Sequence, residues 1–226
     1  MPFSHSSKGR LTRRDLGRFD GSTLFDRVGR AVCEAGCLPR KELYEAWEVA
    51  RRARRMLRGG RVIDFGAGHG LLTHLMLLLD DTSPMALAVD AKTPASASKI
   101  GDALVRAWPR LAGRVETVTG GPESVAIRAD DVVVSCHACG AFADHVLDAA
   151  AGAGARLAVL PCCHDAETCD TGGLTGWMDP ALAIDAVRVT RLRALGYQVK
   201  TQTIPATITP KNRLILGVSS SRMRAS

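Results

Sequence analysis

Two short segments of the sequence concentrate cysteine and histidine side chains that could take part in chemistry. The first is SCHACG, residues 135–140, and the second is LPCCHD, residues 160–165. Thiolates and imidazoles ligate metal ions, a thiolate attacks electrophilic carbon, and an imidazole moves protons near neutral pH. Which of these uses applies depends on whether the fold brings the two segments together.

Three uses of the two clusters remain open on residue types alone. Cys136 and Cys139 have the C-x-x-C spacing of a metal site, but the second cluster offers C-C-H at a strand end, and we predict no metal ligand set. A cysteine nucleophile with a nearby imidazolium is the second use. In the third and leading interpretation, His137 or His164 removes a proton from a hydroxyl or nitrogen nucleophile while the cysteines pack around the pocket. Buried cysteines and hydrogen-bonded histidines without chemistry are the remaining alternative.

An alternation of strand and helix patterns from about residue 60 determines where the clusters lie. Apolar, β-branched runs such as RVIDFGAG and DDVVVSCHACG alternate with helical runs, which predicts an α/β fold with a mostly parallel sheet and helices on both faces. We count seven strands, and the last two, YQVKTQTIP and RLILGVS, have no helix between them, which predicts an antiparallel hairpin. Because SCHACG ends the fourth strand and LPCCH the fifth, both clusters should lie at one edge of the sheet.

The positive charge of the chain is concentrated in its N-terminal quarter. Residues 1–61 hold 15 of the 30 Lys and Arg residues but only 7 of the 23 Asp and Glu residues. We divide the chain into a basic, mobile arm over 1–20, a helical region over 21–59 and the α/β domain over 60–220. The clustered charge favours a phosphate-bearing partner, although a solvated helix face would carry it equally well.

Location and membrane association follow from composition. No apolar run approaches the roughly 18 residues of a membrane helix, and the first 21 residues hold no apolar segment of a secretory signal. Seven cysteines without such a signal favour reduced thiols, and hence a cytoplasmic protein without membrane contact.

The stretch VIDFGAGHG, residues 62–70, joins the first strand of the α/β domain to a helix. Glycines at 66, 68 and 70 allow a sharp turn and a close approach of a nucleotide to the backbone. Leu71 stands where a dinucleotide fingerprint needs its last glycine, and no G-K-S/T follows. Asp90 at the end of the second strand, 20 residues after Gly70, is placed to accept hydrogen bonds from ribose hydroxyls.

The D-x-G-x-G-x-G turn with its second-strand aspartate resembles the first motifs of class I S-adenosylmethionine (SAM) methyltransferases. The resemblance covers about residues 40–220 and implies a doubly wound, seven-stranded, Rossmann-like sheet that ends in an antiparallel hairpin. It implies SAM as cofactor and a set of cofactor-binding residues: Asp64, Phe65, Gly66, Ala67, Gly68, Gly70, Asp90, Ala91 and Ser135.

A narrower resemblance concerns the two clusters. HACGAFAD, residues 137–144, followed by CCH, residues 162–164, is similar to a motif pair of the eukaryotic tRNA acceptor-stem 2′-O-methyltransferase family and of related methyltransferase-like proteins. TPKNRLIL, residues 209–216, also looks like the end of that wider group. The resemblance implies an acceptor pocket shaped by His137, Cys139, Asp144, Cys163 and His164. The N-terminal Cys/His zinc-finger set of the tRNA family has no counterpart in this sequence.

Together these observations predict a SAM-dependent methyltransferase that modifies RNA, either tRNA or rRNA. A methyltransferase for a small metabolite or a protein side chain is the first alternative, and a non-catalytic SAM-fold binding protein is the second. Trp177, in the segment after the fifth strand, could stack on a base or serve ordinary packing.

Overall fold

A seven-stranded sheet organises the protein, whose computed structural model describes residues 9–220. Its strands, in the order β3-β2-β1-β4-β5-β7-β6, are β1 Val62–Phe65, β2 Ala86–Asp90, β3 Val115–Thr119, β4 Val132–Cys139, β5 Arg156–Cys163, β6 Tyr197–Thr203 and β7 Arg213–Ser219. The first five strands are parallel, and β7 runs antiparallel to both β5 and β6. The predicted fold class and its terminal hairpin are confirmed.

Within residues 9–220, six α-helices cover the two faces of the sheet. They are α1 Leu24–Ala35, α2 Arg40–Arg54, α3 Leu71–Leu79, α4 Ala97–Ala107, α5 Ala141–Gly152 and α6 Pro180–Ala194. One apolar core lies between the sheet and α1–α4, and a second core lies on the other face under α5 and α6.

The central strands are apolar along their whole length because both of their faces are covered. Along β4, Val132 and Val134 belong to the first core and Val133 to the second, and all three are fully buried. This continuous burial is typical of parallel strands with helices on both sides. Helix α3 is likewise buried over nearly its whole length, from Leu71 to Leu78.

The N-terminal segment packs on the first core, at least from residue 9 onward. Leu11 and Phe19 are each 1% exposed, and the backbone N–H of Leu11 donates to the carbonyl of Leu38 at 2.9 Å. The ring of Phe19 occupies the space in which a side chain at Gly29 would lie. This differs from the mobile arm predicted for residues 1–20, because two apolar residues anchor a segment whose composition is otherwise basic. Residues 1–8 of the predicted arm lie outside the described residues.

The chain reverses its direction of winding between β1 and β4, which are neighbours in the sheet. After β1 the chain moves outward to β2 and β3, and it then returns to build β4 and β5 on the other side. Such a reversal opens a crevice beyond the carboxyl ends of the strands, where ligands of doubly wound folds bind.

Over residues 9–220, none of the helices is long and apolar enough to span a bilayer.

Candidate active site

The glycine turn after β1 forms the floor of the crevice. Gly66, Gly68 and Gly70 have φ angles of +70°, +52° and +71°, a region that side-chain-bearing residues rarely adopt. A Cβ atom at Gly68 would meet nothing within 4 Å, so the backbone there faces open space. The glycines therefore both permit the turn and leave its outer surface accessible to a ligand.

Asp64 is a carboxylate buried directly beneath this turn. It is 1% exposed, and the hydroxyl of Thr73 on α3 donates to its Oδ2 atom at 2.7 Å. Burial raises the pKa of Asp64 to about 7, and the Thr73 hydrogen bond opposes part of that rise. Asp64 is thus a desolvated group whose charge would be stabilised by a cationic ligand in the crevice.

Asp90 connects the end of β2 to the same turn. Its Oδ2 atom accepts a hydrogen bond from the backbone N–H of Gly68 at 2.8 Å, and its Oδ1 atom accepts one from the backbone N–H of Lys92 at 2.9 Å. The side chain is only partly buried. Asp90 therefore fixes the conformation of the turn while presenting carboxylate lone pairs to the crevice.

Two adjoining cavities occupy the crevice, with volumes of about 360 and 410 Å³. Asp64, Gly66, Cys136 and His137 line the smaller cavity, which lies toward β4. The larger one extends along β2 and β3 beneath α4. Both are bordered by Ala67, Gly68, His69, Asp90 and Pro94. Together they provide the room that pockets for cofactors typically have.

Three residues predicted for cofactor binding do not line either cavity. The side chain of Phe65 belongs to the second core, on the opposite face of the sheet. Ser135 has the same strand parity as Val133, which also faces that core; it is fully buried, and its hydroxyl has no hydrogen-bond partner within residues 9–220. Ala91 is exposed and lies outside both linings. The predicted residues that line the cavities are Asp64, Gly66, Ala67, Gly68, Gly70 and Asp90.

Helix α2 and the residues before it contribute a cavity wall that the sequence analysis missed. Leu38, just before the helix, lines the smaller cavity together with Glu42 and Ala46, whose spacing of four places them on one face of α2. The spacing of Glu42 and Ala46 is the sequence feature from which this wall could have been predicted. Glu45, on the same helix, is 2% exposed; its Oε1 atom lies 3.3 Å from the Lys41 ammonium, and its Oε2 atom has no partner among the described residues.

The carboxyl ends of β4 and β5 bring three cysteines together. Because the strands are parallel neighbours, with Cys139 paired in register to Cys163, the two predicted clusters meet at one edge of the sheet. The Sγ atom of Cys139 lies 2.7 Å from that of Cys162 and 3.3 Å from that of Cys163. Hydrogen bonds from Cys139 and from Lys211, whose Nζ lies 3.4 Å away, lower the pKa of the Cys163 thiol. Burial raises the pKa of Cys162.

Two other predicted catalytic residues, Asp144 and His164, belong to a network of charged side chains behind the cysteines. His164 Nε2 lies 2.9 Å from Asp185 Oδ1, and both side chains are 6% exposed. Both oxygens of Asp144 accept hydrogen bonds from the Arg188 guanidinium, at 3.0 and 2.7 Å. His137, in contrast, is exposed and lines the smaller cavity.

Comparisons with known proteins agree with this architecture. The family described as "Methyltransferase domain" matches residues 41–168. Cofactor-bound Rv0187 from MTB superposes with a TM-score of 0.56 at 14% identity, over 94% of this chain and 98% of that one. A protein from Corynebacterium glutamicum gives 0.55 at 16% identity, over 91% and 95%. The SAM-dependent methyltransferase SibL, in its apo form, gives 0.50 at 16%, over 93% and 66%. None of the curated proteins matches the sequence.

Proposed function

The chain belongs to the methyltransferase domain family and is a SAM-dependent methyltransferase, and we propose that its methyl acceptor is RNA, either tRNA or rRNA. The observation that carries the RNA assignment is the position of the basic N-terminal segment. It packs directly against residues that form a wall of the cofactor crevice.

The residues of the crevice fit the cofactor. In this proposal Asp64 pairs with the ammonium group of the methionine moiety, the backbone of the glycine turn borders the cofactor, and Asp90 accepts hydrogen bonds from the ribose hydroxyls. Bound SAM supplies an electrophilic methyl group. His69 and His137 are the two imidazoles that line the smaller cavity, and we assign to His137, on β4, the removal or orientation of the acceptor proton.

The affinity for SAM should depend on pH through Asp64. A carboxyl with a pKa of about 7 is protonated below that pH and then cannot attract the ammonium group. We expect the Kd for SAM to rise about tenfold per unit as the pH falls below about 6, because the carboxyl is then protonated while the ammonium group keeps its charge. Equilibrium binding across this range measures the effect. The Asp64→Asn variant, which has no carboxyl at this position, should show a flat profile, and a flat profile in the wild type would contradict the assignment.

Positive charge lies beside the mouth of the crevice. Arg10 pairs as an isolated β-bridge with Pro39, next to Leu38 in the cavity wall, and Arg13 and Arg14 follow on the surface. The Arg13 side chain is 78% exposed, and its contact with Glu34 is long, at 3.9 Å. Such exposed arginines are available to phosphates, which they bind with release of counterions.

The salt dependence of RNA binding tests this charge. Replacing Arg13 and Arg14 by Gln should reduce the slope of log K against log salt by about 1 to 2, because each lost phosphate contact removes roughly 0.7–0.9. Fluorescence anisotropy with a labelled RNA at several salt concentrations measures the slope. Arg193→Gln with Lys200→Gln removes the same charge from exposed positions elsewhere and should leave the slope unchanged. Equal slopes in both double variants would argue against the basic segment.

Trp177 is the second feature that favours RNA. It follows β5 in the segment before α6, and 87% of it is exposed. An indole so exposed contributes little packing, whereas it can stack on a base. We expect Trp177→Ala to weaken RNA binding by about 1–3 kcal/mol without lowering the free energy of unfolding. Leu195→Ala, at another exposed apolar position, is the control and should change neither quantity. Unaltered RNA affinity in the Trp177 variant would exclude stacking.

The decisive experiment is methyl transfer to RNA. The protein is incubated with tritiated SAM and bulk RNA from a strain that lacks the gene, and a parallel sample is treated with nuclease. Label in RNA that nuclease removes would support the proposal. Label found instead in metabolite or protein extracts would move the assignment to a small molecule or a protein side chain, the alternative acceptors for the same fold.

A further inference from the structure

We propose that Cys139, Cys162 and Cys163 bind a zinc ion at the carboxyl ends of β4 and β5. Their three Sγ atoms lie within 4.8 Å of one another. Three thiols on two adjacent strands form a preorganised ligand set, because the parallel register of β4 and β5 holds both strand ends in place. The proposal does not depend on RNA being the acceptor.

The spacing of the sulfur atoms suits a tetrahedral ion after small side-chain rotations. The Sγ–Sγ distances are 2.7, 3.3 and 3.9 Å. Tetrahedral zinc with Zn–S bonds of about 2.3 Å requires sulfur atoms about 3.8 Å apart. The Cys162–Cys163 pair already has that separation, and the other two pairs must open by rotation of the half-exposed side chains.

The charge of the surroundings favours three thiolates with a divalent ion. Lys211 Nζ lies 3.4 Å from the Cys163 Sγ and can donate a hydrogen bond to it. One zinc ion and one ammonium together balance the charge of three thiolates. A donor to a ligating sulfur is the kind of outer contact that orients metal ligands and strengthens binding.

The coordination sphere would keep one open position. Within residues 9–220, no fourth Cys, His, Asp or Glu atom joins the group. Cys139 is exposed, so water or an incoming ligand can reach the ion. Three protein ligands with a free fourth position are characteristic of catalytic zinc sites, whereas structural sites are closed by four. Thiolate ligands also select zinc over the harder cations magnesium and calcium.

The experiment measures zinc rather than methyl transfer. The full chain is purified under anaerobic, reducing conditions, stripped of metal with a chelator and titrated with zinc in competition with a chromophoric chelator. We expect one zinc per chain, and with cobalt a thiolate-to-metal charge-transfer band. Cys139→Ser and Cys163→Ser should each weaken binding by more than 100-fold, and Cys169→Ser, outside the cluster, should leave it unchanged. Lys211→Gln should weaken binding by about 10- to 100-fold, and Lys211→Arg should restore much of that loss.

Other outcomes would overturn the proposal. An adventitious ion only would bind weakly and equally in the wild type and in the two cysteine variants. Failure to take up zinc by a reduced chain with seven free thiols and a native circular dichroism spectrum would also exclude the site. Since SAM binding can be measured on the same stripped sample, failure of the zinc site and failure of the proposed function are separate observations.

Discussion

Asp64→Asn is expected to lower the affinity for SAM by about 2–5 kcal/mol, roughly 30-fold to several-thousand-fold, while the protein stays folded. Asp64 is 1% exposed beneath the glycine turn, where little water screens a charge. The asparagine keeps the size of the side chain, and its carbonyl can still accept the Thr73 hydrogen bond. What it loses is the negative charge opposite the ammonium group of the cofactor.

Stability separates loss of this charge from misfolding. Because burial raises the pKa of Asp64 to about 7, the folded state holds an unfavourable charge above that pH, and the substitution removes it. We therefore expect the free energy of unfolding at pH 8 to be unchanged or higher in the variant.

Asp131 provides a matched control for this prediction. It is also 1% exposed, precedes β4 at the opposite edge of the sheet and pairs with Arg61 at 2.7 Å. Asp131→Asn should lower stability and leave SAM affinity unchanged. Calorimetric titration with SAM and urea unfolding measure both quantities, and an Asp64→Asn variant that binds SAM within threefold of the wild type would refute the assignment.

The order of the elements could be predicted because apolar runs with β-branched residues mark parallel strands. Val132, Val133 and Val134 are buried on both faces of β4, so their pattern is continuous and unambiguous. The meeting of the two cysteine clusters followed from the same logic, since parallel strands end at one edge. The packing of residues 9–20 could not be predicted because composition averages over a segment, whereas Leu11 and Phe19 are individually buried.

Side-chain orientation was harder to predict than position along the chain. Ser135 and Cys136 are adjacent, yet only Cys136 lines the cavity, because consecutive residues of a strand face opposite sides. The partner of Asp144 could not be predicted because Arg188 is 44 residues away in sequence, on α6. A contact of this range depends on how two helices pack, which no local pattern specifies.

Arg188→Met is expected to destabilise the protein by about 3–5 kcal/mol, which at this chain length lowers the Tm by roughly 6–20 °C. Arg188 is fully buried and donates hydrogen bonds to Asp144, to Asp185 at 3.3 Å and to the carbonyl of Gly140 at 3.0 Å. Methionine fills a similar volume but donates no hydrogen bond. The carboxylates of Asp144 and Asp185 then lose a buried cation that compensates their charge.

Arg191 on the same helix is the matched control for Arg188. Its side chain is 43% exposed and pairs with Asp148, so Arg191→Met should cost less than about 1 kcal/mol in urea unfolding. Adding Asp144→Leu to Arg188→Met should recover part of the loss, because it removes a carboxylate that has lost its nearer cation and keeps only the 3.8 Å contact with Arg191. That recovery would identify Asp144 as a positioning residue of the β4–α5 corner. If instead Arg188→Met has the same free energy of unfolding as the wild type, the buried network contributes no net stability, and the prediction is wrong.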